Sequence, residues 1–257
     1  MNKQTVAVLD FGSQYTQLIA RRIREQNVYS EILPHTITAE ELNKKNVPAI
    51  ILSGGPSSVY DKNAPQVDPS ILSMGIPVLG ICYGLQLMIT QNGGNVTHKG
   101  QGEYGFAKMH TVNESPLLTN LANESQVWMS HGDEIDSLGN GFEIIAQSSN
   151  DVIAAIHHKD QPLYGVQFHP EVIHTLEGET IISNFLFNIA QCTADWTAAN
   201  FISETISKIQ DITGDNGKVI TGLSGGVDSS VVGTLLHKAI GTRSTCVFID
   251  HGLLRKN

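Results

Sequence analysis

The chain has 257 residues, 40% hydrophobic and 16% charged, which excludes intrinsic disorder and predicts one or two globular domains. Its 25 acidic and 16 basic residues give a net charge of −9 without a lysine or arginine cluster, which argues against nucleic acid as the main partner. The apolar runs are shorter than the ~20 residues of a membrane span, and no signal-peptide core is visible, so we expect no membrane partner.

The cysteines indicate the cellular compartment. Cys82, Cys192 and Cys246 are odd in number and widely spaced, which fits a reducing cytoplasm and not a disulfide framework. No Cys-x-x-Cys or His-x-x-x-His pattern supports a zinc site. We therefore predict a cytoplasmic protein without a metal site of its own in this chain.

The first part of the chain predicts a parallel α/β sheet. Apolar strands alternate with helical patterns, one with Ser13 as its N-cap and one with a capping box of Thr38 and Glu41. Continuously apolar strands are typical of parallel sheets covered on both faces, whose sites lie at the carboxyl ends of strands. The strands are predicted at residues 6–10, 28–33, 49–52 and 78–81.

From residue 97 to 156 the pattern changes to short alternating runs, which predict antiparallel strands added to the sheet. A hairpin is expected to lead into residues 163–168, followed by a helix that contains Ile181 and Ile189. We place the end of the first domain at residue 192 and assign 193–257 to a linker helix and the start of a second domain. This second part predicts one βαβ unit, with its helix ended by Gly241.

The segment around Cys82 predicts a nucleophile elbow. An apolar strand leads into Gly-Ile-Cys-Tyr-Gly at 80–84, and a helical pattern follows. The sharp turn requires small residues at 80 and 84, and it leaves the sulfur at a helix N-terminus, which favours a thiolate. On spacing alone, a buried cysteine in a plain βα unit is an equally good interpretation.

The segment His169-Pro170-Glu171 supplies partners for a cysteine nucleophile. We expect the strand to end at His169 and, in extended backbone, the side chains of His169 and Glu171 to point the same way. Glu171 would then orient the imidazole, which holds the thiolate and protonates the leaving amine. The backbone N–H groups of Tyr83 and Gly55 are the candidate oxyanion donors. Taken alone, the segment also fits a simple strand-to-loop exit.

Residues 80–86, 53–56 and 167–171 together resemble the class I (triad) glutamine amidotransferases over roughly residues 5–190. The resemblance implies a flavodoxin-like, mostly parallel sheet with helices on both faces and added antiparallel strands. It implies hydrolysis of glutamine through a thioester on Cys82, with His169 and Glu171 completing the triad. It also implies that Gln86 contacts the polar end of glutamine.

A glycine-rich loop in the second unit resembles the pyrophosphate loop of ATP pyrophosphatases, in an adenine nucleotide alpha hydrolase-like domain. It has no Gly-Lys-[Ser/Thr] and is not a Walker loop, and a tight turn without a ligand is an alternative. The resemblance implies ATP with Mg²⁺ as cofactors and a nucleotide contact at Asp250. The loop consists of Ser224, Gly225, Gly226, Val227, Asp228, Ser229 and Ser230.

Residues 10–15, 128–133 and 248–255 resemble the glutamine-hydrolysing GMP synthetase family. The resemblance implies that Ser130 and His131 line the glutamine pocket, for which an ordinary strand-end loop is the alternative. It also implies that the complete, homodimeric enzyme adenylates XMP with ATP and aminates it with ammonia from glutamine. Because much of that family's nucleotide domain is missing from this sequence, we expect at most glutaminase activity from the chain alone.

Two other functions fit parts of the pattern. One is a stand-alone Cys-His-Glu hydrolase of γ-glutamyl substrates, with the tail as a structural appendage. The other is a non-catalytic regulatory module on the same fold. We interpret Cys192 and Cys246 as structural. Five histidines carry no spacing that predicts a role: His98, His110, His157, His158 and His174.

Overall fold

The computed structural model describes residues 4–249, except for the side chains of residues 99–101. They form two compact units, and the division between them falls after Asp195. The strands are β1 (Val6–Asp10), β2 (Ser30–Pro34), β3 (Ile50–Leu52), β4 (Val78–Ile81), β5 (Asn95–Thr111), β6 (Glu124–Ser137), β7 (Phe142–Ser148), β8 (Ile153–His158), β9 (Leu163–Val166), β10 (Val219–Leu223) and β11 (Ser244–Phe248). The helices are α1 (Thr16–Glu25), α2 (Ala39–Lys45), α3 (Tyr83–Gln91), α4 (Gly178–Ser183), α5 (Ala198–Thr213) and α6 (Val227–Ile240).

The first unit is built on one sheet, which has nine strands among the described residues, in the order β2-β1-β3-β4-β9-β8-β7-β5-β6. The strands from β2 to β9 in this order pair in parallel, as predicted, and follow the flavodoxin-like order. The strands from β8 to β6 pair antiparallel. The mixed α/β class and the added antiparallel strands are therefore confirmed.

Both faces of the parallel strands are buried, which explains why their sequences are continuously apolar. In β1, Val6 and Val8 pack into a core on one face with Ile19 and Ile23 of α1. The alternate residues of β1 pack into a second core on the other face, together with apolar side chains of α2 and α3. Helices thus cover both faces of the sheet. The carboxyl-terminal ends of the strands stay uncovered, and this is where α/β sheets bind their ligands.

Several local predictions are confirmed and others are wrong. The Thr38–Glu41 capping box forms at the start of α2. Ser13 does not cap α1, because residues 13–15 form a turn and the helix begins at Thr16. The antiparallel strands are longer than expected: β5 has 17 residues and β6 has 14. The helix from Gly178 changes at Asn184 into a π-helical segment, Asn184–Ile189.

The second unit contains the expected βαβ arrangement. Strands β10 and β11 pair in parallel, α6 connects them, and Gly241, with φ at +57°, ends the helix. Within the described residues of this unit, none in α5 is buried, and Ile220 and Val227 are more than three-quarters exposed. This agrees with the expectation that a single βαβ unit cannot bury both faces of its sheet. In residues 4–249, no helix is long and apolar enough to cross a membrane.

Candidate active site

The carboxyl ends of β1, β3, β4 and β9 surround a cavity of about 580 Å³. This position at the edge of a doubly covered parallel sheet is where the sequence predicted a site. The cavity is lined by several of the predicted residues: Gly55, Cys82, Tyr83, Gln86, Ser130, His131 and His169. Glu171 is fully buried and contacts the cavity only through His169.

Cys82 lies in a strained turn between β4 and α3. Its φ of +50° and ψ of −104° place it in a region that non-glycine residues rarely adopt. The turn is held by the Cys82 N–H, which donates to Val166 O at 2.8 Å, and by the Gln86 N–H, which donates to Cys82 O at 3.1 Å. The strand–turn–helix arrangement of an elbow, predicted from the glycine spacing, is therefore present.

The glycines on either side of the elbow leave no room for a side chain. A Cβ on Gly84 would lie 2.4 Å from Leu52 O, and one on Gly80 would lie 2.6 Å from Leu85 N. Both are backbone atoms, so no side-chain rotation relieves the contact. We expect Gly84→Ala to lower the free energy of unfolding by about 3 kcal/mol, at the upper end for overpacking, in urea denaturation. Gly222→Ala, where a Cβ meets nothing within 4 Å, is the control; equal loss in both variants would contradict this prediction.

His169 and Glu171 form a buried pair. The imidazole Nδ1–H donates to Glu171 Oε1 at 2.8 Å, and the two side chains are 6% and 0% exposed. Because the acceptor is a carboxylate, Nδ1 carries a proton and Nε2 is the nitrogen left for a second partner. The arrangement matches the base-and-orienter pair predicted from the sequence.

The expected extended backbone at this pair is wrong. Strand β9 already ends at Val166, and residues 170–171 form a turn. After β9 the chain stops pairing with β8, because His169 is hydrogen-bonded to β6 instead. The His169 N–H donates to Trp128 O at 3.0 Å, and the His169 carbonyl accepts from the Thr175 hydroxyl at 2.6 Å. The Thr175 hydroxyl in turn accepts from the Trp128 N–H at 3.1 Å. A turn held by β6, not strand periodicity, brings Glu171 to the imidazole.

The surroundings of His169 keep its imidazole protonated at neutral pH. Burial disfavours the charged ring, but the hydrogen bonds to Cys82 and Glu171 and their charges outweigh it and raise the pKa of His169 to about 10. The Tyr15 ring packs edge-on against the imidazole, with the ring centres 5.2 Å apart. A protonated imidazole beside a sulfur is the arrangement that activates a cysteine nucleophile.

The three cysteines are expected to differ in reactivity. Burial raises the pKa of Cys192 to about 11, whereas Cys82 lies beside the protonated His169. We expect iodoacetamide at neutral pH to alkylate Cys82 at least about tenfold faster than Cys192, measured by mass spectrometry of peptides. Cys246, which is exposed, reports the rate of an accessible thiol in the same sample. Equal rates at Cys82 and Cys192 would contradict the geometry.

Gln86 is 3% exposed and lines the cavity. Its Nε2 donates to Asp133 O at 3.0 Å and to Gln167 Oε1 at 3.3 Å, which leaves its carbonyl oxygen as an acceptor. Ser130 and His131 both line the cavity, and they lie inside β6 and not in a strand-end loop, the alternative considered for them.

Ser130 and His131 face different surroundings within β6. The carbonyl oxygen of Ser130 lies 3.7 Å from Cys82 Sγ. His131 is buried, its Nδ1 bonds to Asp133 O at 3.0 Å, and burial lowers the pKa of its imidazole. Its Nε2 lies 3.6 Å from Glu103 Oε2.

Sequence reasoning missed Asp133 as a site residue. Its carboxylate lines the cavity and accepts from the hydroxyls of Ser58 at 2.5 Å and Tyr60 at 2.8 Å, and it contacts His98 Nδ1 at 3.2 Å. Burial would raise the pKa of Asp133, but these hydrogen bonds outweigh it and keep the pKa below its usual value. Because alternate residues of a strand share a face, the position two residues after His131 was the available signal. His98, interpreted from the sequence as a histidine without a role, lines the cavity.

The glycine-rich loop lies in the second unit, between β10 and α6. Gly225 has φ at +78°, and Gly226 precedes the first helical residue. The Ser224 N–H donates to Ser229 Oγ at 3.2 Å, and Ser224 Oγ accepts from the Gly226 N–H at 3.4 Å. The loop is largely exposed at a helix N-terminus, as the βαβ pattern predicted. Asp250 lies outside the described residues.

Comparison with known proteins agrees with this geometry. The glutamine amidotransferase class-I model matches residues 7–189. The chain belongs to this family. The NAD synthase model matches residues 197–250, which contain the glycine-rich loop of the second unit.

Relatives of this amidotransferase include proteins named glutamine-hydrolysing GMP synthases. The one from Listeria innocua is 56% identical over 254 residues, which are 99% of this chain and 49% of that protein. The one from Thermosynechococcus vestitus is 51% identical over 256 residues, which are 100% of this chain and 48% of that protein. The chain therefore spans about half the length of these relatives.

Solved structures show the same fold. A Thermoplasma acidophilum protein described as one of the subunits of a GMP synthase superposes with a TM-score of 0.67 at 29% identity, covering 79% of this chain and 98% of that one. A glutamine amidotransferase from Thermotoga maritima superposes with a TM-score of 0.54 at 19% identity, covering 92% of this chain and 90% of that one.

Proposed function

We propose that the first unit hydrolyses glutamine to glutamate and ammonia. The observation that carries the proposal is that Cys82, at the elbow, and His169, hydrogen-bonded to the buried Glu171, line the same cavity. Both lie close to Gly54, where a Cβ would be 3.2 Å from His169 Cε1 and 3.8 Å from Cys82 Cβ. Cys82 acts as the nucleophile, His169 as the acid and base, and Glu171 as the group that orients the imidazole. Ammonia release from glutamine, compared between the wild type and Cys82→Ala, tests the proposal.

In the proposed reaction, His169 first gives a proton to the leaving nitrogen and later takes one from water. The Cys82 sulfur attacks the amide carbon, and the leaving nitrogen takes the Nε2 proton to depart as ammonia, which leaves a γ-glutamyl thioester. Neutral His169 then takes a proton from water, whose oxygen attacks the thioester carbon. Collapse of this second intermediate releases glutamate and restores the thiolate and the protonated imidazole. Glu171 stabilises the imidazolium in both states.

Two backbone N–H groups are the proposed oxyanion donors. Both Tyr83, directly after the nucleophile, and Gly55 line the cavity beside Cys82. Within the part of the chain that the structure describes, neither N–H donates a hydrogen bond to the protein, so both are available to a ligand. A Cβ on Gly55 would lie 2.8 Å from Phe11 O, so only glycine fits at this position. Such donors stabilise the negative oxygen formed in each addition step.

The cavity offers complementary groups to the two ends of glutamine. The carbonyl oxygen of Gln86, which accepts no hydrogen bond among the described residues, is the proposed acceptor for a substrate N–H. Asp133 supplies a carboxylate for the α-ammonium group, and among the described residues that line the cavity it is the one carboxylate. Ser130 and His131 complete this side of the proposed pocket.

An Asp133→Asn variant tests the placement of the α-ammonium group. The substitution keeps the size of the side chain but removes the charge that pairs with the ammonium. We expect KM for glutamine to rise by about tenfold to a hundredfold, the range for a hydrogen bond to a charged group, with kcat changed much less. Steady-state kinetics of ammonia release measure both. Asp61→Asn is the control, because it removes a carboxylate from the loop that carries Ser58 and Tyr60 but lies outside the cavity lining. A loss of kcat at unchanged KM would contradict this role.

We further propose that the chain is the glutaminase part of a glutamine-hydrolysing GMP synthase. The complete enzyme would use ATP to adenylate XMP and use the ammonia to form GMP. The support is the identity of 56% and 51% with proteins of that name over almost the whole chain. The sequence resemblance further supports a homodimer, and the three free cysteines among the described residues support a cytoplasmic location.

The loop at residues 224–230 is the proposed ATP site. Its exposed hydroxyls and helix N-terminus fit the phosphate groups of ATP, because backbone N–H groups there favour anions. Mg²⁺ is commonly held by one or two carboxylates together with substrate phosphates, and Asp228 in the first turn of α6 supplies one. When bound, ATP with Mg²⁺ supplies the adenylyl group that activates the XMP oxygen. Asp250 remains a proposed nucleotide contact.

A further inference from the structure

Two buried side-chain amides connect β6 to the sulfur of Cys82. Gln86 Nε2 donates to the main-chain oxygen of Asp133 at 3.0 Å and to Gln167 Oε1 at 3.3 Å. Gln167 Nε2 then donates to Cys82 Sγ at 3.6 Å. Gln86 and Gln167 are 3% and 1% exposed. We call these two side chains the amide relay.

The hydrogen bonds give the amide relay a single orientation. A main-chain carbonyl can only accept, so Gln86 must turn its NH₂ group toward Asp133. The same NH₂ group faces Gln167, which must therefore present its carbonyl oxygen. The NH₂ group of Gln167 is then directed at Cys82. The backbone of β6 thus fixes an N–H donor on the sulfur. Flipping Gln86 would place two acceptors face to face, and flipping Gln167 would place two donors face to face.

The sulfur needs such a donor once its proton is lost. As a thiol, Cys82 can donate to the carbonyl oxygen of Ser130, 3.7 Å away. As a thiolate, the negative sulfur of Cys82 lies beside the partly negative carbonyl oxygen of Ser130. This repulsion costs free energy in a buried site. The imidazole of His169 offsets part of this cost. The amide of Gln167, whose Nε2 donates to Cys82 Sγ at 3.6 Å, is a second side-chain donor for the thiolate.

We propose that Gln167 is a catalytic residue whose Nε2–H stabilises the thiolate of Cys82 before it attacks the substrate and again as it leaves the thioester. This role rests on the glutamine hydrolysis proposed above. The amide neither gains nor loses a proton; it supplies a fixed dipole where negative charge develops. Gln86 acts through Gln167 as a positioning residue. A donor fixed by the backbone costs no reorganisation during the reaction.

Gln167→Glu is the sharpest test, because it changes the atom that faces the sulfur and keeps the size of the side chain and its hydrogen bond from Gln86. A carboxylate has the same shape and still accepts from Gln86, but it directs a negative oxygen at Cys82 in place of an N–H. The probe is chloroacetamide, a small electrophile that does not use the glutamine pocket. We expect its rate with Cys82 at neutral pH to fall by about tenfold to a hundredfold. We expect kcat for glutamine to fall by a similar factor, with KM little changed.

The pH dependence separates a donor to the sulfur from a merely structural role. At alkaline pH the thiolate forms without help, so the alkylation rate of the variant should approach that of the wild type. A misfolded site would stay slow at every pH. Gln167→Leu, which removes the donor without adding charge, should show a smaller loss and the same recovery. If Gln167→Glu fails to fold, the alkylation rate of Gln167→Leu tests the role of Gln167 as a donor to the sulfur.

A matched control is Gln91→Glu, at the end of α3. Gln91 Nε2 also donates to a main-chain oxygen, that of Val67, at 3.1 Å, but it lies outside the cavity lining. We expect its Cys82 alkylation rate to equal that of the wild type. A folded Gln167→Glu or Gln167→Leu with wild-type alkylation of Cys82 would overturn the inference alone. Wild-type Cys82 reacting no faster than Cys192 would instead overturn the proposed function.

Discussion

We expect a Cys82→Ala variant to lose glutamine hydrolysis by about 10⁴-fold or more, as for removal of a triad nucleophile. The reason is that the reaction passes through a covalent bond to this sulfur, and neither water nor His169 replaces it at the elbow. Ammonia release from saturating glutamine, measured with a coupled dehydrogenase assay, gives kcat. The fold should remain, because alanine at position 82 removes one atom from a cavity wall.

The control for this variant is Cys192→Ala. Cys192 is also buried, at 7% exposure like Cys82, but it does not line the cavity. We expect this variant to keep wild-type ammonia release. Substantial activity in folded Cys82→Ala would place the chemistry on another group and would favour a different hydrolase, or a contaminant, over the proposed mechanism.

The second large effect is expected for Glu171→Gln, with a loss of kcat by about 10²- to 10⁴-fold. Glu171 is fully buried and supplies the charge that balances the protonated His169. A neutral amide removes that charge, so the pKa of His169 should fall from about 10 toward its ordinary value. The protonated imidazole, which the leaving ammonia requires, would then be lost at lower pH. The alkaline limb of the kcat profile should move to lower pH accordingly.

The structure supplies a matched control for this change. Glu143 and His157 form a second carboxylate–imidazole pair at 2.5 Å, on β7 and β8 and outside the cavity lining. Glu143→Gln removes the same charge from the same kind of pair. We expect its kcat and pH profile to match the wild type. If both variants lose activity equally, the loss reflects stability, and the orienting role of Glu171 is wrong.

The parallel part of the sheet was predictable because the patterns that determine it lie within short segments of the sequence. Each strand such as Ile50–Leu52 is apolar throughout, and the glycines around Cys82 are needed for a turn within five residues. The π-helical segment from Asn184 and the length of β5 were not predictable in this way. They depend on packing against distant segments, which no local sequence pattern records.

The site was predictable where one short segment carries the chemistry. His169 and Glu171 are two residues apart, so their pairing was expected, although the turn held by Thr175 was not. Asp133 and Gln167 belong to the segments 128–133 and 167–171, but the sequence of these segments does not indicate what either residue does. Their roles depend on contacts with Ser58 and Cys82 across 75 and 85 positions of the chain, which only the folded sheet brings together.

Detection of the γ-glutamyl thioester would show covalent catalysis by Cys82 itself. The protein is mixed with glutamine, quenched in acid within one turnover, and digested for mass spectrometry. We expect one γ-glutamyl group on the peptide that contains Cys82, none on those that contain Cys192 or Cys246, and none in Cys82→Ala. Ammonia release with an unmodified Cys82 peptide, persisting in Cys82→Ala, would contradict covalent catalysis by Cys82.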